Sequence, residues 1–327
     1  MQKKNKLISL TVFGAALGFM LTSCSSLAGS DDDDDWPTRD IEIIVPFGAG
    51  GDTDFNARMY ADRLEEELGT SVTVSNVEGQ GGAAGAAQVR DADPDGYTIL
   101  FYHGAVAVNE ATGAANFGLD DFEFVATAAA SPGELVTVRE DMGFEDLDDL
   151  VEYSQENPDE LRVSADIGAT THVMALQLQD AGADINIVSS GGSSDRVASL
   201  LGGHVDVIFN PYGNISDYLE NGDFAALANV SGERAEEYSD IPTAEEQGYG
   251  ELNFTNYYFF AMPEGAPDHA VEQFAEAAEA VSQQEDYQEA IRSTYAQEPV
   301  FKPREEGLAD FEEIEENVNQ FSDDFEG

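Results

Sequence analysis

The chain has 327 residues, with 66 acidic side chains against 14 basic ones and a net charge of −52. No basic stripe is available to displace counterions from phosphates, which excludes a nucleic-acid partner. At 42% hydrophobic the chain still forms a core, which excludes a disordered polyanion, and a single cysteine excludes a disulfide framework. The acids are spread over helices and loops, and lysine is nearly absent. That balance suits adaptation to high salt, where a Debye length of about 3 Å at 1 M screens self-repulsion; an alkaline or ordinary habitat is the alternative.

The first segment reads as a secretory signal over residues 1–23. Lys3, Lys4 and Lys6 form a positive start, and the apolar run from Leu7 to Leu21 is broken by Gly14 and Gly18, short for a membrane span. It ends in "LTSC", which matches the lipobox of exported lipoproteins, with Cys24 as the lipidated residue. Residues 24–35, "CSSLAGSDDDDD", cannot bury apolar surface and read as an acidic tether. Folded structure is expected from Trp36.

From there the chain alternates β-rich and helical runs. "IEIIVPF" (Ile41–Phe47) predicts a buried strand, then a glycine turn and a helix with Phe55, Met59 and Leu64 on its apolar face and Gly69 as its stop. "SVTVSNV" predicts a strand, "AAGAAQVRDA" a helix and "PDGYTILFY" a turn and strand. "FEFVATAA" and "ELVTVRE" predict further strands, followed by an acid-rich helix closed by Pro158. "LRVSAD", "HVMALQLQDAG", "INIVSS", "SDRVASLLGG" and "VDVIFN" continue the rhythm, and from Pro267 the chain is mainly helical. Alternating β and α units predict an α/β fold with a mostly parallel sheet covered on both faces.

Four of the predicted strands end in small-residue turns that open helices. The first turn, Phe47, Gly48, Ala49, Gly50 and Gly51, leads to Asp52, Thr53 and Asp54, any of which could cap the helix. The second, "EGQGGAAG", fits a dinucleotide fingerprint from Gly79, but the next strand ends "ILFYHG" without the acid that would hold a ribose. That reading is rejected, leaving Gly81 and Gly82 as candidate backbone donors to a different ligand. In the third, "SADIGATTHVMA", Thr170 or Thr171 would cap the helix and His172 lies in its first turns; the fourth carries Ser190, Gly191, Gly192 and Ser193. Ligands of open α/β sheets bind beyond the carboxyl ends of strands, so facing pairs of such loops would cage a small carboxylate with backbone N–H and hydroxyl donors. No nucleophile elbow, zinc-protease motif or catalytic cysteine accompanies them. The histidines lack metal-ligand spacing; His103 and His172, at strand ends, could line a site. No cofactor is implied.

Taken together, these segments resemble the extracytoplasmic solute receptors of tripartite tricarboxylate transporters, the Bug-type binding proteins. "WPTRDIEIIVPFGAGGDTDFNARMYADRLEEELG" is similar to that family's opening, including Gly-Gly-x-x-Asp-x-x-x-Arg at Gly50, Gly51, Asp54 and Arg58. "VEGQGGAAGAAQVRDADPDGYTILF", "GATTHVMA", "ASLLGGHVDVIF", "LANVSGERAEEYSDIPTAEEQGY" and "FFAMPEGAP" match later segments in order. No single motif is decisive, but six in the same order are specific. The resemblance implies a two-domain fold of the type II periplasmic-binding-protein class, with residues 36–135 plus 256–327 as one domain and 136–255 as the other. It implies a monomeric receptor, tethered outside the membrane through Cys24, that closes on a small organic acid and passes it to membrane permease subunits. By alignment, ligand contacts fall on Phe47 to Thr53, on Gly168, Ala169, Thr170, Thr171 and His172, and on Ser190 to Ser193, with Asp54 and Arg58 in a supporting role. The chain departs from the family at Gly48-Ala49, at Asp52, which adds a charge, and at Ser189-Ser190, where an aromatic and a lysine are usual. Those departures leave open the choice among di- or tricarboxylates, amino acids and aromatic acids. An exported hydrolase on a similar fold is the remaining alternative.

Overall fold

The computed structural model describes residues 36–166, 168–322 and 325. The signal segment, the tether and Cys24 lie outside the described residues, so the readings made on them carry no structural account.

Two mixed sheets flanked by helices make up the fold. The first begins with β1 (Ile41–Val45), α1 (Asp52–Leu68), β2 (Val72–Asn76), α2 (Ala83–Arg90), β3 (Thr98–His103), α3 (Ala105–Ala111) and β4 (Phe122–Ala130). The chain then crosses into the second, with β5 (Leu135–Arg139), α4 (Leu147–Glu156), β6 (Leu161–Ser164), α5 (Thr170–Asp180), β7 (Ile185–Val188), α6 (Ser193–Leu201), β8 (Val207–Asn210), α7 (Tyr212–Asn221) and β9 (Phe224–Asn229). It returns through β10 (Tyr257–Pro263), α8 (Asp268–Ser282), α9 (Glu285–Tyr295), β11 (Lys302–Pro303) and α10 (Arg304–Asn319).

The strand orders are β11-β4-β10-β3-β1-β2 and β7-β6-β8-β5-β9. Each sheet carries a parallel triplet, β2-β1-β3 in one and β7-β6-β8 in the other. Most strands of each sheet run the same way, as expected, and each sheet is mixed because β10 pairs antiparallel with β3 and β4, and β5 antiparallel with β8 and β9. The physical reason lies in the connections. Helical crossovers return each strand parallel to the last, whereas β5 and β10 enter from extended segments that cross between the sheets. Those two crossing segments are bonded together, Ser131 N–H to Asn256 O at 2.8 Å.

Burial follows from the sequence pattern. All five residues of β1 except Glu42 are buried, as a central strand covered on both faces requires. Helix α1 buries Ala57, Tyr60, Ala61 and Leu64, while Phe55 and Met59 sit at the edge of that face, so the apolar stripe is rotated from the expected one. Tyr60 anchors it: its hydroxyl donates to Ala128 O at 3.0 Å, and its ring packs among Phe101, Phe260 and Tyr287. Gly69 closes the helix in the left-handed conformation, as expected of a C-terminal glycine. The C-terminal helices complete the first sheet. Phe274 of α8 packs edge-on to Phe260, and Phe311 of α10 packs against Phe124 and Phe259.

Candidate functional site

The turns that follow β1, β2, β6 and β7 surround one cavity of about 710 Å³. Loops 1 and 4 face each other across it, since a side chain grown at Gly51 would reach to 3.9 Å from Ser193 Oγ. Loops 2 and 3 touch: a Cβ on Gly81 would lie 2.5 Å from the carbonyl carbon of Gly168.

Loop 1 lines the cavity with Phe47, Gly48, Ala49, Gly51, Asp52, Thr53 and Asp54. Gly50 is turned away, its N–H donating to Asp54 Oδ2 at 3.0 Å and its carbonyl accepting from Tyr295 Oη at 3.1 Å. No side chain caps α1, which starts at Asp52 behind Gly51, so the expected cap by Asp52, Thr53 or Asp54 does not form. Asp54 is occupied elsewhere. Arg58 and Asn76 both donate to its carboxylate, and Asn76 also donates to Phe47 O. Burial opposes ionisation of Asp54, but the bonds from Arg58, the Gly50 amide and Asn76 outweigh it and hold the carboxyl below its ordinary range. The Asp-x-x-x-Arg spacing thus locks the first loop to the end of β2.

Loop 2 contributes Glu78, Gly79, Gln80, Gly81 and Gly82 to the wall. Its glycines serve close packing as well. Tyr102 fills the space where a Gly82 side chain would stand, and its hydroxyl reaches Gly81 O at 3.0 Å and Asn109 Oδ1 at 2.8 Å. Asn109 Nδ2 donates to Gly168 O at 2.5 Å, which stitches loop 2 to loop 3. Gly168 is spent on that junction and does not line the cavity; Ala169, Thr170 and Thr171 do. Helix α5 starts at Thr170 without a side-chain cap, so neither threonine plays the expected capping role; Thr171 Oγ1 instead accepts from Asp166 N–H at 3.4 Å.

Besides Gly50 and Gly168, two further candidates fall outside the cavity wall. His172 packs toward the Phe325 ring, 5.3 Å away, because the third residue of α5 points away from the face that Thr170 and Thr171 present. Burial lowers its pKa there. Ser190 turns back to pair with Ser164, leaving Ser189, Gly191, Gly192 and Ser193 at the cavity. Helix α6 starts behind Gly192, again with no side-chain cap.

His103 closes the floor at the end of β3, stacked on Phe47 at 4.7 Å. Its Nδ1 accepts from Ala105 N–H at 3.2 Å, which leaves Nε2 as the donor of a neutral ring. Burial pushes its pKa down to about 4, with Arg196 adding to the effect and Asp52 opposing it.

The residues that the sequence reasoning passed over are the charged ones. Arg196, in the first turns of α6, is 7% exposed and lines the cavity. Among the described residues it forms no ion pair; its guanidinium donates to Asn210 Oδ1 at 2.8 Å, Ser193 Oγ at 3.2 Å and Gly191 O at 3.4 Å. Glu134 and Asn256 come from the two crossing segments, and Asp166 bridges loops 3 and 4 by accepting from Ser189 Oγ and from Gly191 N–H. Burial pushes the Glu134 carboxyl up to about 8, with Arg196 pulling down and Asp52 pushing further up. A signal for Arg196 was present in "SSDRVA", since a basic residue beside a glycine loop is unusual in a chain with 14 of them. Glu134 had none, being one acid among 66.

Helix starts without caps leave backbone N–H groups free, and together with Arg196 they form an anion-receiving surface. Among the described residues no group of His, Cys, Asp or Glu is placed to hold a metal ion, and no helix is long and apolar enough to cross a membrane.

Residues 56–318 match the model of the tripartite tricarboxylate transporter family receptor. A curated relative from Agrobacterium vitis, a UPF0065 protein encoded in the TAR-I ttuE-ttuC' intergenic region, is 31% identical over 248 residues, covering 75% of this chain and 71% of its own length. Among solved structures, the periplasmic binding protein BugD is similar at 27% identity and a TM-score of 0.79, over 89% of this chain and 98% of its own. The R. palustris protein Rpa4515, solved with adipate, is similar at 25% identity and a TM-score of 0.82, over 88% and 98%.

Proposed function

We propose that this chain, which belongs to the tripartite tricarboxylate transporter receptor family, binds a small organic carboxylate in the cavity between its sheets and delivers it to a membrane permease. The observation that carries the reading is Arg196, buried without a carboxylate partner among the described residues, beside three helix starts whose amides no side chain caps there. A carboxylate ligand would satisfy both at once, through charge-assisted bonds to the guanidinium and to backbone N–H groups. Phe47 to Ala49, Gly51 to Thr53, Gly81, Gly82, His103, Ala169 to Thr171, and Gly191 to Ser193 are the proposed contacts, with Asp54 and Arg58 holding loop 1 in place. Gly50, Gly168, His172 and Ser190 are withdrawn from that set, because none of them lines the cavity.

Residues 36–135 with 256–327, and residues 136–255, are the two proposed domains, with the crossing segments at Ser131–Glu134 and Asn253–Asn256 as the hinge. Closure about it completes the cage and gives a permease a composite surface to read. Export, lipid attachment at Cys24 and a high-salt habitat complete the proposal, supported by the lipobox and by the charge of −52. The carboxylate reading is tested by calorimetric titration of the exported chain, in molar salt, with mono-, di- and tricarboxylates and amino acids. Saturable binding by at least one is expected, and silence across the panel would sink the assignment.

A further inference from the structure

The proposed carboxylate-receiving groups account for only part of the cavity wall. The same wall carries Asp52 and Glu134, two carboxyl groups that a purely anionic ligand would not need. Asp52 is 8% exposed, and the Tyr258 hydroxyl donates to its Oδ2. Glu134 is 7% exposed, lines the same cavity, and its Oε2 is buried with no hydrogen-bond partner among the described residues. Asp52 and Arg196 each act on Glu134 and on His103, so both of those groups lie within electrostatic reach of an acid and of the guanidinium.

The charge balance decides what can enter. One guanidinium faces two buried acids, and Glu78, Asp166 and Asp195 add carboxyl groups around the wall. An ionised buried carboxylate without a cationic partner costs several kcal/mol, so Glu134 holds its proton until such a partner arrives, and a second ligand carboxylate raises that cost further. A cationic group supplied by the ligand reverses the sign: it offers donors to the free Glu134 oxygen and to Asp52 and leaves the net charge of the cavity unchanged. The Tyr258 hydroxyl holds Asp52 in place but cannot neutralise it, being a phenol, and His103 is a neutral ring.

We infer that Asp52 and Glu134 form an ammonium-binding pole in the cavity that also holds Arg196, so that the ligand is a zwitterion, an amino acid or related amine-bearing carboxylate, and not a di- or tricarboxylate. This inference rests on the carboxylate reading above and narrows it. The cavity, at about 710 Å³, has room for a side chain of substantial size beyond the two charged groups.

The test is a titration of the mature chain with compounds matched in skeleton: each amino acid, its des-amino acid, and the dicarboxylate of equal length. At least one amino acid is expected to bind about tenfold or more tighter than both counterparts, the difference that one buried charge pair supplies. Asp52→Asn and Glu134→Gln should each narrow that preference about fivefold or more, and the two variants together keep the test sound if one fails to fold. A dicarboxylate that binds as tightly as its amino counterpart, or a preference that survives both substitutions, would overturn the ammonium pole and leave the carboxylate reading standing. Silence across the whole series would overturn both.

Discussion

The turns after β2 and after β7 occupy equivalent places in their sheets, each following the outer strand of a parallel triplet, yet Gly81 and Gly82 in the first and Gly192 in the second do opposite work. In the turn after β2, Gly81 and Gly82 are wedged against Gly168 and Tyr102, with φ of 63° and 104° that ordinary residues rarely adopt. In the turn after β7, Gly192 has an extended backbone and open space where a side chain would go. The same residue type therefore serves close approach in one loop and exposure of a helix start in the other. A glycine pattern identifies a turn, and its neighbours decide what the turn is for.

The largest effect should come from breaking the packed loop. Gly82→Ala would drive a methyl into the Tyr102 ring at a strained φ, and should destabilise the fold by roughly 3 kcal/mol or more. Gly192→Ala should cost less than about 0.5 kcal/mol. Chemical denaturation at fixed salt measures both, and equal losses would erase the contrast.

Next comes the charge at the open loop. Arg196→Met should weaken carboxylate binding by about 100-fold or more, near 3 kcal/mol, as judged by calorimetry. A loss of only severalfold would move the anion contact onto the backbone amides alone.

A smaller effect separates the hinge acid from both loops. Glu134 ordinarily ionises near 4.5 but is pushed up to about 8 by burial. The folded state therefore holds the extra proton, and its stability falls as pH rises through that window. His103, pushed down to about 4, acts with the opposite sign: the unfolded chain takes up the proton, so stability falls as pH drops below 6.5. Between pH 6.5 and 8 only the Glu134 contribution remains of these two, worth about 2 kcal/mol, and Glu134→Gln should flatten it. An unchanged slope of denaturation free energy against pH in that variant would show that Glu134 is not the titrating group.

The smallest expected change is at His172. His172→Ala should leave ligand affinity within about twofold, because the ring faces Phe325 and not the cavity. A large loss on titration would return α5's third residue to the site.

Much of this architecture was legible in the chain. The strand and helix periods of "IEIIVPF" and "SDRVASLLGG", the four glycine turns at strand ends, and Gly69 as a helix stop all follow from local chemistry that does not depend on partners. The cap assignments at Asp54 and Thr171 failed because a capping side chain has competing partners. Asp54 was taken by Arg58 and Asn76 from outside its own turn. The direction of β10 was not legible either, since its pairing partners lie more than a hundred residues earlier.

By itself, then, the sequence determined the α/β class, the order of elements and the places where backbone donors are exposed, because period, turn chemistry and helix starts are set by neighbours a few residues apart. Only the tertiary structure decided which small residues face the cavity and which are spent on packing. It also selected Arg196 and Glu134 from a background in which one acid looks like any other. Burial makes that choice, since a charge gains its strength and its cost from being removed from water, and removal from water is a property of the folded chain.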